Sequence, residues 1–105
     1  MANLTIIEKR RIERLLGMES GYVLRFSDRT FQEFFADVVG IDIYAEKYSY
    51  ASGSKANRLR AFWAEEPNHI VGNVLVALLD VYIDDGNSPN AEYQDARQIA
   101  TRLLQ

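Results

Sequence analysis

With 105 residues, 48% of them hydrophobic, 26% charged and only two prolines, the chain has the composition of one folded domain, which excludes general disorder. It has no cysteine, so disulfides, thiolate zinc sites and a cysteine nucleophile are excluded, and the cytosol is the simplest compartment. A net charge of −3 argues mildly against nucleic acid as the main partner.

The opening Met1-Ala2-Asn3-Leu4-Thr5 holds no basic-then-apolar signal segment. Thr5 and Glu8 have the spacing of a capping box, in which each side chain satisfies the other's free backbone N–H. In the first helix that follows, Ile12, Leu15 and Leu16 share one face, and Gly17 is a natural stop. Gly21, Tyr22, Val23 and Leu24 form a connector that an extended conformation would suit. Ser27 or Asp28 caps a second helix bearing Phe31, Phe34, Phe35, Val38 and Val39 and closed by Gly40. Residues 42–48 suit a short third helix with Ile43 and Tyr44 turned inward.

Ser54 caps a fourth helix after Ala51-Ser52-Gly53. Ala56, Leu59, Phe62 and Trp63 recur on one side at spacings of three and four, and Pro67 ends it. Asn68 opens a fifth helix running through Ile70, Val71, Val74, Leu75, Leu78, Leu79, Tyr82 and Ile83, apolar nearly all round and so expected at the centre of a bundle. Its apolar run is broken by Gly72, Asn73 and Asp80 and falls short of the roughly 20 residues of a membrane span, so the chain reads as soluble without membrane contact. Asp84 to Asn87 make a turn, and Ser88-Pro89 starts a sixth helix with Pro at the favoured first position. Tyr93, Ala96, Ile99, Ala100, Leu103 and Leu104 form its stripe. That stripe still runs at Gln105, so the expectation is an N-terminal domain of a longer protein. The fold class is therefore an all-α bundle of five or six helices.

Lys55 near Gly53 fails the phosphate-loop pattern: Ser54 intervenes, Ala56 follows, and no strand precedes. His69 is the only histidine and has no companion ligands, so it reads as a surface residue at a helix start and no metal is expected. The serines lack a His–Asp context, and the acidic pairs lack an acid–base partner. No catalytic set and no cofactor are expected.

The charges are the better lead. Residues 1–60 hold ten of the twelve basic groups, whereas residues 61–105 hold only Arg97 and Arg102 against seven acids. Lys9, Arg10, Arg11 and Arg14 crowd the polar side of the first helix, Arg25 and Arg29 flank the second helix start, and Lys55, Arg58 and Arg60 decorate the fourth. Three readings stand: phosphate contacts on nucleic acid, carboxylates of a partner protein, or ion pairs inside the bundle. Phe62 and Trp63 are assigned to the core, with an exposed binding anchor as the alternative. With its apolar side buried, the fourth helix is expected to leave Lys55, Arg58 and Arg60 free for recognition.

Three stretches carry a family resemblance: Gly17-Met18-Glu19-Ser20-Gly21-Tyr22-Val23-Leu24-Arg25-Phe26-Ser27-Asp28-Arg29-Thr30-Phe31, then Gly40-Ile41-Asp42-Ile43-Tyr44, then Gly53-Ser54-Lys55-Ala56-Asn57-Arg58-Leu59-Arg60-Ala61-Phe62-Trp63. They resemble N-terminal helical domains fused to diverse bacterial effectors, among them anti-phage defence proteins. A compact six-helix domain of this size is similar to the caspase-recruitment (CARD-like) branch of the death fold, which includes domains of bacterial gasdermin defence operons that precede trypsin-like proteases. The resemblance spans about residues 5–83. It implies a non-catalytic adaptor that binds itself or another CARD-like domain and clusters a linked protease or pore-forming effector. The candidate contacts are Arg10, Arg11, Arg14, Lys55, Arg58 and Arg60 on a basic side and Glu65, Glu66, Asp84 and Asp85 on an acidic side. A nucleic-acid or phage-component sensor using the same basic faces is the alternative.

Overall fold

The computed structural model describes residues 1–49 and 51–105, and Thr5 opens the first helix there as its spacing predicts. The Thr5 hydroxyl accepts from the Glu8 N–H at 3.1 Å and the Glu8 carboxylate accepts from the Thr5 N–H at 3.0 Å. Helix α1 (Ile6–Leu15) buries Ile12 and Leu15, and Gly17, at φ 67°, turns the chain out of it. Such a positive φ favours glycine because a Cβ would crowd the neighbouring carbonyl.

The connector is not extended. Met18–Ser20 forms a 3₁₀ turn, and Leu24 takes a positive φ of 49° while its N–H donates to the Leu16 carbonyl at 2.8 Å. Ser27, rather than Asp28, caps α2 (Asp28–Val39), accepting from the Thr30 N–H at 3.1 Å. Phe31 and Phe35 are fully buried, and Val38 stays at the surface.

The expected third helix shrinks to a 3₁₀ turn at Glu46–Tyr48. Two competitors explain this. The Asp42 carboxylate accepts the Tyr44 N–H at 2.9 Å, a local bond that replaces helical pairing. Arg58 draws the Ile43 and Ala45 carbonyls toward its guanidinium, and the Ala45 carbonyl then also takes the Tyr48 N–H at 3.1 Å, the bond that closes the 3₁₀ turn.

Ser54 caps α3 (Lys55–Glu65) and accepts the Asn57 N–H at 3.1 Å; Ala56, Leu59, Ala61, Phe62 and Trp63 are all buried. Helix α4 (Asn68–Asp84) follows Pro67. Asn68 is its first residue, with the side chain turned to accept the Asn3 N–H at 2.7 Å. α4 is less enclosed than its composition suggests, since Asn73, Asp80, Ile83 and Asp84 form an exposed side. The last helix starts later than Ser88-Pro89. Asn90 caps α5 (Ala91–Leu103), accepting the Tyr93 N–H at 2.9 Å and donating to the Tyr82 hydroxyl at 3.2 Å.

The bundle is all-α, with no strand among the described residues. α5 packs along α4 and also touches α1, while α2 lies against α4. An aromatic chain ties α2 to α3: the Phe31–Phe35 and Phe35–Phe62 centroids are each 5.0 Å apart at steep angles, and Tyr48 reaches Phe62 at 5.9 Å. Edge-to-face contacts of this kind add to the stabilisation from burial. No described helix is long and apolar enough to cross a membrane.

Candidate interaction surface

The basic residues of α3 are not a free outer face. The Lys55 side chain is only 11% exposed; its Nζ lies 3.3 Å from Asp28 and over the Tyr22 ring at 4.9 Å. One Arg58 terminal nitrogen donates to the Ile43 carbonyl at 3.2 Å and the Ala45 carbonyl at 3.0 Å, and the guanidinium stacks on Tyr44 at 4.9 Å. Arg60 donates to Glu13 at 2.7 Å and to the Asn57 side-chain oxygen at 2.9 Å. Helix α3 thus grips the 41–48 connector and α1, and these three cations are occupied inside the fold.

Burial reinforces these grips. The Tyr44 and Tyr48 hydroxyls are both pushed up to about 12, first by burial and then by donating to Asp28 and Glu66. The Asp28 carboxyl is held below its ordinary value by the Tyr44 hydroxyl and then by Lys55. Glu66 lies half-buried, accepts from Tyr48 at 2.7 Å and sits 2.9 Å from Lys47, so its carboxyl is lowered by the Tyr48 bond first. Among the acidic candidates Glu66 is therefore committed internally. Glu65 and Asp84 are exposed, without an ion pair among the described residues. Asp85 is half-buried beside Arg25 in a shallow cleft.

Helix α1 is arranged in the opposite way. Its two acids point inward: Glu13 binds Arg60, and Glu8 accepts two Arg102 hydrogen bonds at 2.7 and 3.0 Å. That Arg102 contact is the leading reason the Glu8 carboxyl is lowered. With Ile12, Leu15 and Leu16 inward, the 3.6-residue repeat places Ile6, Ile7, Arg10, Arg11 and Arg14 on one outward arc. Ile6 is 71% and Ile7 64% exposed. Arg10 and Arg11 form no ion pair among the described residues; Arg14 makes one exposed contact, to Glu92 at 2.7 Å. The outward arc therefore carries cations and isoleucines with no acid among them.

Ile6 and Ile7 are the members of this surface that charge patterning alone passed over. Their signal is the same helical repeat that places Ile12, Leu15 and Leu16 inside.

The concavities offer less. The cleft between α1 and α3, lined by Lys9, Glu13, Arg60, Ala61, Trp63 and Ala64, holds about 220 Å³, below the roughly 300 Å³ at which small-molecule sites begin, and the larger hollow of about 480 Å³ along Met1 to Thr5 and Arg102 lies wide open at the surface. Trp63 itself is buried. No cluster of three or more His, Asp or Glu suited to a metal occurs among the described residues. No family model, curated protein or solved structure matches the chain significantly.

Proposed function

We propose that this domain is a non-catalytic protein-docking module whose working surface is the outward face of α1. The observation that carries the reading is the pairing of two well-exposed isoleucines with Arg10, Arg11 and Arg14. Isolated exposed apolar residues are ordinary, but an apolar pair set among arginines has the composition of an interface core. Apolar contact would supply affinity, and the arginines would choose an acidic partner and fix its register.

The resemblance to CARD-like domains of bacterial anti-phage effectors supports an adaptor role in the cytoplasm. Association through this face would raise the local concentration of a linked protease or pore-forming effector until it acts. Two features weigh against phosphate recognition on this face: Ile6 and Ile7 leave its N-terminal turn without a cation, and the chain's net charge is −3.

The test is the full-length native protein carrying Arg10→Glu with Arg11→Glu, assayed for phage protection in its own host. Both residues are exposed and unpaired among the described residues, so the isolated chain should keep its thermal midpoint while protection is lost. Retained protection in a folded double variant would sink the proposal. Tight, steeply salt-dependent DNA or RNA binding by the unaltered chain would point to the nucleic-acid reading instead.

A further inference from the structure

We infer that the cleft between α1 and α3 is a separate binding site that takes the C-terminal residue of a partner polypeptide, an apolar side chain beside a free carboxylate. The site lies on the flank of α1 that bears Lys9 and Glu13, away from Arg11 and Arg14. It stands whether or not the outward arc of α1 docks a partner.

The cleft joins an apolar lining to charged groups. Ala61 and Trp63 are buried in it and Ala64 is exposed beside them, while Lys9, Glu13 and Arg60 supply the polar part. Helix geometry brings these residues together: Ala61 and Ala64 are three apart on α3, and Lys9 and Glu13 are four apart on α1. The two small side chains on α3 leave the space open, since a larger residue at either position would fill it.

Charge selects the occupant. The Arg60 Nε donates to Glu13 at 2.7 Å and one terminal nitrogen donates to the Asn57 side-chain oxygen at 2.9 Å. The guanidinium is therefore held in place, and its other terminal nitrogen makes no hydrogen bond among the described residues. Lys9 is half-buried and forms no ion pair among the described residues. Lys9 and Arg60 against Glu13 leave one positive charge over, which a monoanionic carboxylate neutralises. A doubly charged phosphate would meet the Glu13 carboxylate at close range.

Size and connectivity narrow the choice further. About 220 Å³ is too small to enclose a nucleotide or an organic cofactor. A chain terminus carries its carboxylate and its side chain on one carbon, so a single residue reaches the two cations and the apolar lining together. Capture of a terminal carboxylate is a recurring mode of peptide recognition. A free acid brings the same groups, but a peptide adds contacts where it leaves the cleft.

Trp63 is the chain's only tryptophan, so its fluorescence reports occupancy of the cleft. Titration with the peptide Gly-Ser-Gly-Leu should change that emission saturably. The C-terminally amidated peptide should bind about tenfold more weakly, as should Gly-Ser-Gly-Gly, which lacks the apolar side chain. Lys9→Met should weaken the free-acid peptide by about tenfold. Ala64→Glu, which fills the mouth and adds a negative charge, should abolish binding, and both variants should keep the parent Tm. If Ala64→Glu fails to fold, Lys9→Met decides alone.

No saturable change at millimolar peptide overturns the inference, as does equal binding of acid and amide or unchanged binding by the folded variants. Displacement of the peptide by equimolar inorganic phosphate would overturn the carboxylate assignment. N-acetyl-leucine binding as tightly as the tetrapeptide would assign the cleft to a small free acid and overturn the polypeptide assignment. None of these outcomes depends on Arg10 and Arg11, whose reversal tests the outward face of α1 separately.

Discussion

Replacing Arg58 by Met separates a recognition role from a structural one. The substitution keeps a long apolar stem but removes the donor that serves the Ile43 and Ala45 carbonyls at 3.2 and 3.0 Å. Hydrogen bonds from charged donors contribute about 1.5–3 kcal/mol each. The lower end applies, because Arg58 is only half-buried and the Ala45 carbonyl also accepts the Tyr48 N–H. The stacking on Tyr44 at 4.9 Å adds about 0.5–1 kcal/mol. Some of this is returned, since the Arg58 Nε is buried without a partner among the described residues. The net loss is about 3 kcal/mol, a large share of the 5–15 kcal/mol typical of a domain. At roughly 4–8 °C per kcal/mol the Tm should fall by about 12–24 °C in a circular-dichroism melt. Arg58→Lys, which keeps the charge but not the planar fork, should fall between. An Arg58→Met protein melting within about 2 °C of the parent, as an ordinary surface substitution would, refutes the structural assignment.

Phe62→Ala removes a fully buried ring that joins Phe35 and Tyr48 and should cost about 3–5 kcal/mol by urea denaturation. Asn90→Ala should cost about 1 kcal/mol as a lost helix cap, whereas Ser88→Ala should be near neutral; equal costs would contradict the later start of α5. Glu8 and Glu66 have folded pKa values below the ordinary 4.5, so the unfolded chain binds more protons in acid. Their contribution is full above pH ~5 and is lost as pH falls through the depressed values. Glu66→Gln should flatten that acid limb of a stability–pH curve, and an unchanged slope would argue against the Tyr48–Glu66–Lys47 linkage.

Helix boundaries set by local chemistry were readable in advance. Thr5 and Ser54 cap where their spacing predicts, and Ser27 takes the α2 cap from the two neighbouring candidates Ser27 and Asp28, because a cap depends on residues within one turn. Boundaries that depend on distant groups were not. Residues 42–48 depart from a helix under the local Asp42–Tyr44 bond together with Arg58, which reaches the Ile43 and Ala45 carbonyls from 13 to 15 positions away. The start of α5 moves to Asn90, which also bonds Tyr82 on the neighbouring helix. The same distinction governs the surface. Charge patterning marks Arg10, Arg11, Lys55, Arg58 and Arg60 alike, since all lie on polar helix sides. Only three-dimensional placement separates the last three, which meet Asp28, the connector carbonyls and Glu13, from the first two, which meet none of these. The exposed isoleucines follow from the helical repeat once the inward stripe of α1 is assigned, so that part of the surface was legible to geometry though not to charge.

On the proposed reading α1, not α3, presents the working surface. Under the proposed adaptor role, phage protection by the protein carrying Arg10→Glu with Arg11→Glu, read beside the Tm of the same variant, decides between the two helices. If α1 is that surface, protection is lost while the Tm stays unchanged. Full protection from the folded variant would contradict it.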